Sequence, residues 1–443
     1  MKSSAWREPV QALAPFAEEN FAVLLLSDGS ADARWSYLAR RPDRVEIVTP
    51  GDADRDFTRL SDLLGARAAG VIGGPPFQGG VIALVAYEFA DRLEPLILPR
   101  DADWPDLLLA RYSSVLAFDH VQRLVVAVGR GEEPEAAETA ANEALTWLDS
   151  QPPVASHGRT ACAFVDEKSG RAYEAAVRDV TVRIAAGEIF QANIARTWVG
   201  ALEEGATPFA GFHRLSHQSP APYSAFWRGP GLALVSHSPE QFLSLASDGA
   251  SVTCRPIKGT RPRGGNAGAD TAQAEALLAS DKDRAENLMI VDLVRNDLSR
   301  VCAPGSVKVP ALFSLESYPS VHHLVSTITG RLQAGRTAAD LLTAAFPPGS
   351  ITGAPKIQAM KVIAGHEPPR GPWCGTLAWV GFDGAMQSSV LIRTAAFVQD
   401  RFGWRFRATA GAGIVADSDP DAERLETEVK VSGLRRALTG CDA

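Results

Sequence analysis

The chain has 443 residues, and its 44 lysines and arginines against 52 aspartates and glutamates give a formal net charge of −8 at pH 7. This mild acidity argues against a nucleic-acid-binding protein, because such proteins concentrate basic residues in stripes or patches. With 46% hydrophobic and 22% charged residues, the composition is that of a globular protein with a large core and excludes a disordered or fibrous chain.

The first third of the chain alternates short apolar runs with turn residues. These runs have the length and the Val, Leu or Ile content of strands, and they predict a sheet-rich N-terminal region over residues 1–150. A helix with a glutamate-rich first turn follows Gly131. The polar segment 151–162, which contains two prolines, predicts a linker. The predicted strands are residues 21–26, 45–48, 80–85, 113–118 and 124–128.

Beyond residue 162, long helices mix with strands without the regular alternation of parallel α/β folds. One helix starts at Ser280, whose spacing from Asp283 fits a capping box, and another starts at residues 418–421 with a proline in its first turn. This mixture favours the α+β class. A helix is also predicted at 169–186, and the helix that begins at Ser280 is predicted to run to residue 301. Strands are predicted at 226–245, 378–382, 388–397 and 403–408.

Cysteine usage and apolar run lengths bear on the compartment. The five cysteines are odd in number and widely separated, with no C-x-x-C pair, which predicts a reduced protein. The N-terminus lacks the apolar segment of an export signal, and the longest apolar runs are too short for a membrane span. We therefore expect a cytoplasmic protein that does not associate with membranes.

Two pairs of acidic residues, Asp283 with Glu286 and Glu423 with Glu426, stand at the starts of two predicted helices. Residues three apart project from one helix face, and carboxylates of two helices that meet repel each other unless a cation lies between them. Oxygen ligands completed by water and substrate suit Mg²⁺. The alternative is that Asp283 and Glu423 only complement the helix dipole, which explains the deeper Glu286 and Glu426 less well.

Two glycine-rich segments have weaker interpretations. Residues 349–356 resemble a phosphate loop, but Pro355 and Ile357 flank the lysine where a Walker A motif has Gly and Ser or Thr, so we reject a nucleotide site. Residues 411–416 match G-x-G-x-x-A, but too few residues follow for a dinucleotide-binding unit. The small residues there either expose backbone N–H groups to an anion such as a carboxylate or form a tight strand-to-helix turn.

Three further side chains have chemistry that depends on their surroundings. Lys258, held between Pro256 and Gly259, is a candidate nucleophile if its amine is neutral, although most lysines are merely solvated. Glu240 is a candidate general acid if a pocket raises its pKa. Lys430 lies four residues after Glu426, so it is either an ion-pair partner of that glutamate or a cation directed at a substrate carboxylate.

Five segments, in one order, resemble the chorismate-utilising enzymes. The resemblance covers roughly residues 165–440 and implies the α+β fold of anthranilate synthase component I, with large antiparallel sheets packed as a sandwich and helices outside. It also implies a chorismate-binding catalytic region over residues 163–440. The segments are Pro-Ile-Lys-Gly-Thr at 256–260, and residues 285–297, 321–326, 349–356 and 411–417.

Lysine at position 258 resembles the branch of the family that aminates chorismate at C4, on the route to p-aminobenzoate and folate, since the anthranilate-forming branch carries alanine there. The implied mechanism has Lys258 attack C2 of chorismate while Glu240 protonates the departing C4 hydroxyl, and ammonia then adds at C4 and releases the lysine. The alternatives are anthranilate formation and a non-catalytic chorismate-binding regulatory subunit. The joint presence of Lys258, Glu240, Glu286 and Glu426 argues against the second.

The same resemblance implies roles for the remaining candidate residues. Glu286 and Glu426 are the implied Mg²⁺ ligands, with Asp283 and Glu423 just outside them. His323 is implied as a catalytic residue near the C4 hydroxyl, and Thr352 as a neighbour of the ring. The residues implied to bind the substrate carboxylates are Gly411, Ala412, Gly413 and Lys430 for the ring carboxylate, and Arg393 and Trp379, the latter replacing a tyrosine of many relatives, for the enolpyruvyl carboxylate.

Two further expectations concern a possible tryptophan site at Ser27 and the source of ammonia. Ser27 follows a run of three leucines that resembles the segment holding a tryptophan in several members, but the match is partial, and regulation by tryptophan is not predicted. The sequence contains no G-x-C-x-G nucleophile turn of a glutaminase. We therefore expect ammonia from a separate glutamine amidotransferase subunit or from solution.

Overall fold

The computed structural model describes residues 1–30, 33–54, 56–151, 160–218, 220–318 and 321–440. In that part of the chain it contains 22 strands and eleven α-helices. The strands are β1 (Lys2–Ala5), β2 (Val23–Leu26), β3 (Trp35–Ala39), β4 (Arg44–Val48), β5 (Gly80–Val85), β6 (Leu107–Tyr112), β7 (Ser114–Asp119), β8 (Leu124–Gly129), β9 (Val165–Asp166), β10 (Gln191–Ala201), β11 (Tyr223–Gly229), β12 (Leu232–Ser238), β13 (Gln241–Leu245), β14 (Ser251–Cys254), β15 (Ile257–Pro262), β16 (Lys308–Ser317), β17 (Val321–Arg331), β18 (Gly353–Ala354), β19 (Thr376–Gly381), β20 (Met386–Val390), β21 (Thr394–Asp400) and β22 (Gly403–Ile414). The helices are α1 (Pro9–Leu13), α2 (Thr58–Leu64), α3 (Ala90–Leu93), α4 (Pro134–Thr146), α5 (Gly170–Ala185), α6 (Pro208–Gln218), α7 (Ala267–Leu278), α8 (Asp281–Ser299), α9 (Ala338–Ala345), α10 (Lys356–Ala364) and α11 (Pro420–Thr439).

The strands form two antiparallel sheets. The twelve-stranded sheet has the order β1-β8-β7-β3-β2-β11-β12-β21-β22-β10-β18, with β9 beside β10. The ten-stranded sheet has the order β15-β17-β14-β13-β20-β19-β5-β6-β4, with β16 beside β17. Each sheet joins strands from both halves of the chain, since β2 pairs with β11 and β5 with β19. The predicted division at 151–162 stays a prediction, because residues 152–159 of that linker lie outside the described residues.

The two sheets face each other across an apolar layer, and helices cover their outer faces. Strand β5 shows the arrangement, because Ile82 and Leu84 join the core between the sheets, while Val81 and Ala83 join the core beneath α8 and α9. A strand covered on both faces is apolar at every position, which explains why β5 reads as a continuous apolar run. These layers confirm the predicted α+β sandwich.

Local signals located both site helices. The Ser280 side chain accepts a hydrogen bond from the Asp283 backbone N–H at 3.2 Å and caps α8. At the start of α11, Asp419 is the capping residue and Pro420 follows it. The capping oxygens satisfy backbone donors that have no partner inside the helix, which is why both starts could be predicted.

Some predicted segments have a different form in the structure. Residues 388–397, predicted as one strand, are β20 and β21, and the break contains Arg393 at φ 51°, a conformation that no strand accommodates. Residues 411–413 lie inside β22, paired with β10, so the segment is a strand and not a strand-to-helix turn. None of the helices in the described ranges is both long and apolar enough to cross a membrane.

Candidate active site

Lys258 faces the glycine-containing end of β22 from the other sheet. A Cβ atom added to Gly413 would lie 3.5 Å from Lys258 Nζ and would overlap the side-chain amide of Gln191. The next residue, Gly259, has φ +86°, and a Cβ there would meet the Asp283 side chain at 3.0 Å. Glycine at position 259 therefore allows the turn of β15 that directs the lysine amine towards β22.

Glu240 lies at the turn between β12 and β13 and is only 5% exposed. Its carboxyl group accepts hydrogen bonds from the Ser350 side chain and the Ile257 backbone. Burial raises the pKa of Glu240 to about 7, although these hydrogen bonds and the positive charges of Lys258 and Lys430 act in the opposite direction. The site thus holds a carboxyl group that is partly protonated at neutral pH and lies within electrostatic range of the Lys258 amine.

His323 on β17 is buried in the same neighbourhood. Its Nδ1 hydrogen-bonds with the Thr260 hydroxyl at 2.9 Å, and the Tyr318 ring packs edge-on at 5.5 Å between ring centroids. Burial, together with the charge of Arg393, lowers the pKa of His323 to about 4, so this imidazole is neutral at pH 7. Burial also lowers the pKa of the Arg393 guanidinium, which the charge of Glu240 partly opposes.

The loop with Thr352 is held by its own backbone and by a buried ion pair. The Thr352 hydroxyl donates to the carbonyls of Pro348 and Gly349 at 3.3 and 3.2 Å. Lys356, at the end of the loop, donates to Asp297 on α8 at 2.7 Å and to the Ala345 carbonyl at 2.8 Å. The lysine of the segment that resembles a phosphate loop is therefore engaged in holding the loop against α8.

The starts of α8 and α11, which carry the four predicted metal-site carboxylates, lie close together. Lys282 on α8 lies 3.7 Å from Glu423, which also accepts a hydrogen bond from Ser418 at 2.7 Å. Burial is the main cause that raises the pKa of Glu286, and the charges of Asp283 and Glu426 add to it. The same two causes, burial first and then the Glu426 charge, raise the pKa of Glu423.

These carboxylates fit a hard divalent cation, because their mutual repulsion is what a cation relieves. In the structure, lysines balance part of the negative charge, and Lys430 contacts Glu426 at 2.7 Å. Burial is the largest single influence on the pKa of Glu426 and raises it, but the lysine charges, that of Lys430 first, outweigh burial and lower this pKa overall. Asp283 instead pairs with Arg261 at 2.8 Å. Among the described residues, no three His, Cys, Asp or Glu side chains are grouped as a complete metal site.

Of the two alternatives that the sequence left open for Lys430, the structure shows the ion pair with Glu426, and the role at a substrate carboxylate stays a prediction. Besides Glu426, its Nζ donates to the carbonyl of Gly411 at 2.9 Å. Gly411 and Gly413 lie opposite Ala195 and Asn193 of β10 in the strand pairing. The ammonium group therefore stands at the glycine segment predicted to bind the ring carboxylate.

Ser27 and Trp379 lie together at a different place. Both line a cavity of about 1060 Å³, which also contains Tyr37, Tyr223 and Asp383. Trp379 packs against Phe77 in the core between the sheets, with ring centroids 5.2 Å apart. The predicted role of Trp379 at the substrate stays a prediction. A tryptophan site beside Ser27 stays a prediction.

Sequence reasoning missed several residues that the fold brings to this place. A Cβ on Gly411 would lie 3.1 Å from the ring of Trp373 and 2.8 Å from the Asn193 amide. Arg370, paired with Glu367 at 2.8 Å, donates to the carbonyls of Ile351 and Asn193 at 3.0 and 2.6 Å and ties the Thr352 loop to β10. Strand β10 was missed because its sequence, Gln191–Ala201, mixes polar and apolar residues and contains no continuous apolar run.

Comparison with known proteins gives consistent matches. The sequence model of the family described as chorismate binding enzyme matches residues 25–436. The chain is 42% identical over 369 residues to aminodeoxychorismate synthase component 1 of Salmonella typhimurium, covering 82% of this chain and 77% of that protein. It is 39% identical over 380 residues to anthranilate synthase component 1 of Thermus thermophilus, covering 83% and 79%. The solved structure of anthranilate synthase component I from Streptococcus pneumoniae TIGR4 has a TM-score of 0.81 at 29% identity, covering 92% of this chain and 93% of that one.

Proposed function

The chain belongs to the chorismate-binding enzyme family, and we propose that it converts chorismate and ammonia to 4-amino-4-deoxychorismate, as component 1 of an aminodeoxychorismate synthase. The observation that carries the proposal is the amine of Lys258 beside both the buried carboxyl of Glu240 and the glycine segment of β22. The 42% identity to the Salmonella relative supports the same reaction.

The reaction is a double displacement. The Lys258 amine forms a bond to C2 of chorismate, both ring double bonds shift, and the C4–O bond breaks as Glu240 gives its proton to the departing hydroxyl. Ammonia then forms a bond to C4, the double bonds shift back, and the bond from C2 to Lys258 breaks. The proton returned to Glu240 comes from the attacking ammonia, so the net change replaces the C4 hydroxyl by an amino group and releases water.

The lysine decides where the nitrogen is attached. Direct attack of ammonia at C2 leads towards anthranilate, whereas a first attack by Lys258 occupies C2 and makes C4 the site of the second attack. The surroundings suit the first step, since a pKa of about 7 keeps part of Glu240 protonated near neutral pH, so that it can protonate the departing hydroxyl, while the His323 imidazole is neutral.

Positive side chains bind the two carboxylates of the substrate. Lys430, held at Gly411, is positioned for the ring carboxylate, and the planar guanidinium of Arg393 suits the enolpyruvyl carboxylate. Thr352 lies in the loop beside them. Glu286 and Glu426, with Asp283 and Glu423 outside them, would hold Mg²⁺, which would supply positive charge for the ring carboxylate.

Replacement of Glu286 by glutamine tests the proposed metal ligands. The change removes a negative charge without changing the shape of the side chain, so we expect the Mg²⁺ concentration for half-maximal activity to rise about tenfold or more. Titration of activity with MgCl₂ measures it. Glu275→Gln on α7 is the control for loss of a glutamate charge, and an unchanged Mg²⁺ response of Glu286→Gln would show that the metal lies elsewhere.

Product analysis tests the proposed function itself. Purified protein incubated with chorismate, Mg²⁺ and ammonium is expected to yield 4-amino-4-deoxychorismate, separated and identified by chromatography and mass spectrometry. Anthranilate as the main product would instead assign the chain to the anthranilate-forming branch. Calorimetric binding of chorismate without turnover would indicate a regulatory subunit.

The proposed reaction also implies a partner and a place of action. We propose that a separate glutamine amidotransferase supplies the ammonia, that the product leads to p-aminobenzoate and folate, and that the protein acts in the cytoplasm. The four described cysteines, Cys162, Cys254, Cys302 and Cys374, are free thiols, which suits a reducing compartment, and Cys441 lies outside the described residues.

A further inference from the structure

Gln191, the first residue of β10, carries a buried side-chain amide with unused hydrogen-bonding capacity. The residue is 1% exposed, and neither its Nε2 nor its Oε1 hydrogen-bonds to any residue in the described part of the chain. Its backbone pairs with Ala354 of β18, and the next residue, Ala192, pairs with Ile414 of β22. A buried polar group without partners costs folding free energy, so its retention calls for a reason.

The position of this amide supplies the reason. The Gln191 side chain passes so close to Gly413 that a Cβ there would overlap Nε2, and the same Cβ would lie 3.5 Å from Lys258 Nζ. Only glycine at position 413 leaves room for the amide and the amine above β22. The unpartnered amide is thus directed to the place where the lysine amine meets the glycine segment.

We propose that Gln191 positions the Lys258 amine against the substrate, with its Oε1 accepting a hydrogen bond from Nζ and its Nε2 donating one to the ring carboxylate. An amide has one acceptor end and one donor end, so one side chain can serve both groups at once. The carboxylate is attached to C1, the neighbour of the attacked C2. A bridge between amine and carboxylate therefore fixes the distance between the lysine nitrogen and C2.

This inference rests on the proposed function, and two variants separate the two ends of the amide. Gln191→Met keeps the length of the side chain and removes both hydrogen bonds, so kcat is expected to fall about 10- to 100-fold. Gln191→Glu keeps an acceptor for the amine but sets a negative charge against the ring carboxylate. For this variant the KM for chorismate is expected to rise about tenfold or more, a larger KM change than in Gln191→Met.

Thermal unfolding distinguishes positioning from a structural role. Because the amide has no partner within the described fold, Gln191→Met is expected to keep or raise the Tm while activity falls. Gln333→Met is the matched control: this glutamine follows β17 and donates to the Cys302 carbonyl at 3.1 Å. Its replacement is expected to lower the Tm slightly and leave kcat and KM unchanged.

The outcomes are separable from the product assay. Wild-type kcat and KM in both Gln191 variants would overturn the inference. A lower Tm of Gln191→Met that accounts for its loss of activity would overturn it too, because the amide would then have a structural role. If the wild-type product proved to be anthranilate, the proposed function would fail by itself. In that case calorimetry would still test the hydrogen bond from Gln191 Nε2 to the ring carboxylate. Chorismate is expected to bind Gln191→Glu more weakly than wild type, and undiminished binding would contradict this part of the inference.

Discussion

Replacement of Lys258 by alanine is expected to lower formation of 4-amino-4-deoxychorismate by about 1,000-fold or more, because it removes the nucleophile that occupies C2. The loss should lie in kcat, since Lys430 and Arg393 still bind the two carboxylates. Steady-state kinetics with ammonium as the nitrogen source measures it. Omitting ammonia gives a second readout, in which intact-protein mass spectrometry detects a covalent adduct on the wild type and none on Lys258→Ala.

The control for this prediction is a lysine of the same sheet. Lys308 on β16 is exposed, and Lys308→Ala removes one positive charge without touching the site. Both variants should unfold close to the wild-type temperature, since Lys258 is only partly buried at the edge strand β15. A wild-type rate of 4-amino product from Lys258→Ala would remove the covalent role.

Replacement of Glu240 by glutamine is expected to lower kcat by about 100- to 1,000-fold, because the amide keeps the shape and hydrogen bonds of the carboxyl but donates no acidic proton. The wild-type rate should fall as the pH rises through about 7, since only the protonated carboxyl acts as the acid. Glu240→Gln should lack this decrease. The kcat measured from pH 5.5 to 9 checks both statements, and Glu135→Gln on the exposed first turn of α4 is the control.

Glu240→Gln is expected to lower activity but to raise the stability of the fold at alkaline pH. Burial raises the pKa of Glu240 to about 7 in the folded protein, above its ordinary value, so stability falls as the pH rises from the ordinary pKa of a glutamate to about 7, and the full penalty persists at higher pH. The penalty is absent at pH values below the ordinary pKa of a glutamate. Glu240→Gln is therefore expected to raise the Tm at pH 8.5 relative to wild type and to change it little at pH 4.

The pH profile of kcat also has an outcome that would contradict the role of Glu240. If Glu240→Gln kept the wild-type decrease of kcat at alkaline pH, the acid would be another group.

Local sequence signals predicted more of the helices than of the strands. The start of α8 at Ser280 depends on a hydrogen bond three residues away, and the start of α11 on Asp419 and Pro420, so both are set by neighbours along the chain. Strand β10 was not recognised, although it is the partner of the glycine segment in β22. Its pairing residues are about 220 positions apart, and no local pattern carries that information.

Trp379 and Trp373 illustrate the same difference at single residues. The sequence predicts Trp379 at the substrate, which stays a prediction, and the fold adds that its side chain lines the same cavity as Ser27. Trp373 instead lies against Gly411, with an indole N–H that has no partner among the described residues. Which face of β19 a side chain occupies depends on the register of that strand in the sheet.

The sequence by itself determined the α+β class, the helix starts and the identity of the chemical groups, since these depend on residue types and on short spacings, and the family resemblance implied the sandwich. Only the tertiary structure decided which groups meet. The ten-stranded sheet carries Lys258 on β15 and Glu240 at the turn before β13. The twelve-stranded sheet carries Gly413 on β22 and Gln191 on β10. The order of strands within each sheet and the packing of one sheet on the other bring the lysine amine and the Gln191 amide to the same residue, Gly413. The burial produced by that packing raises the pKa of Glu240 to about 7.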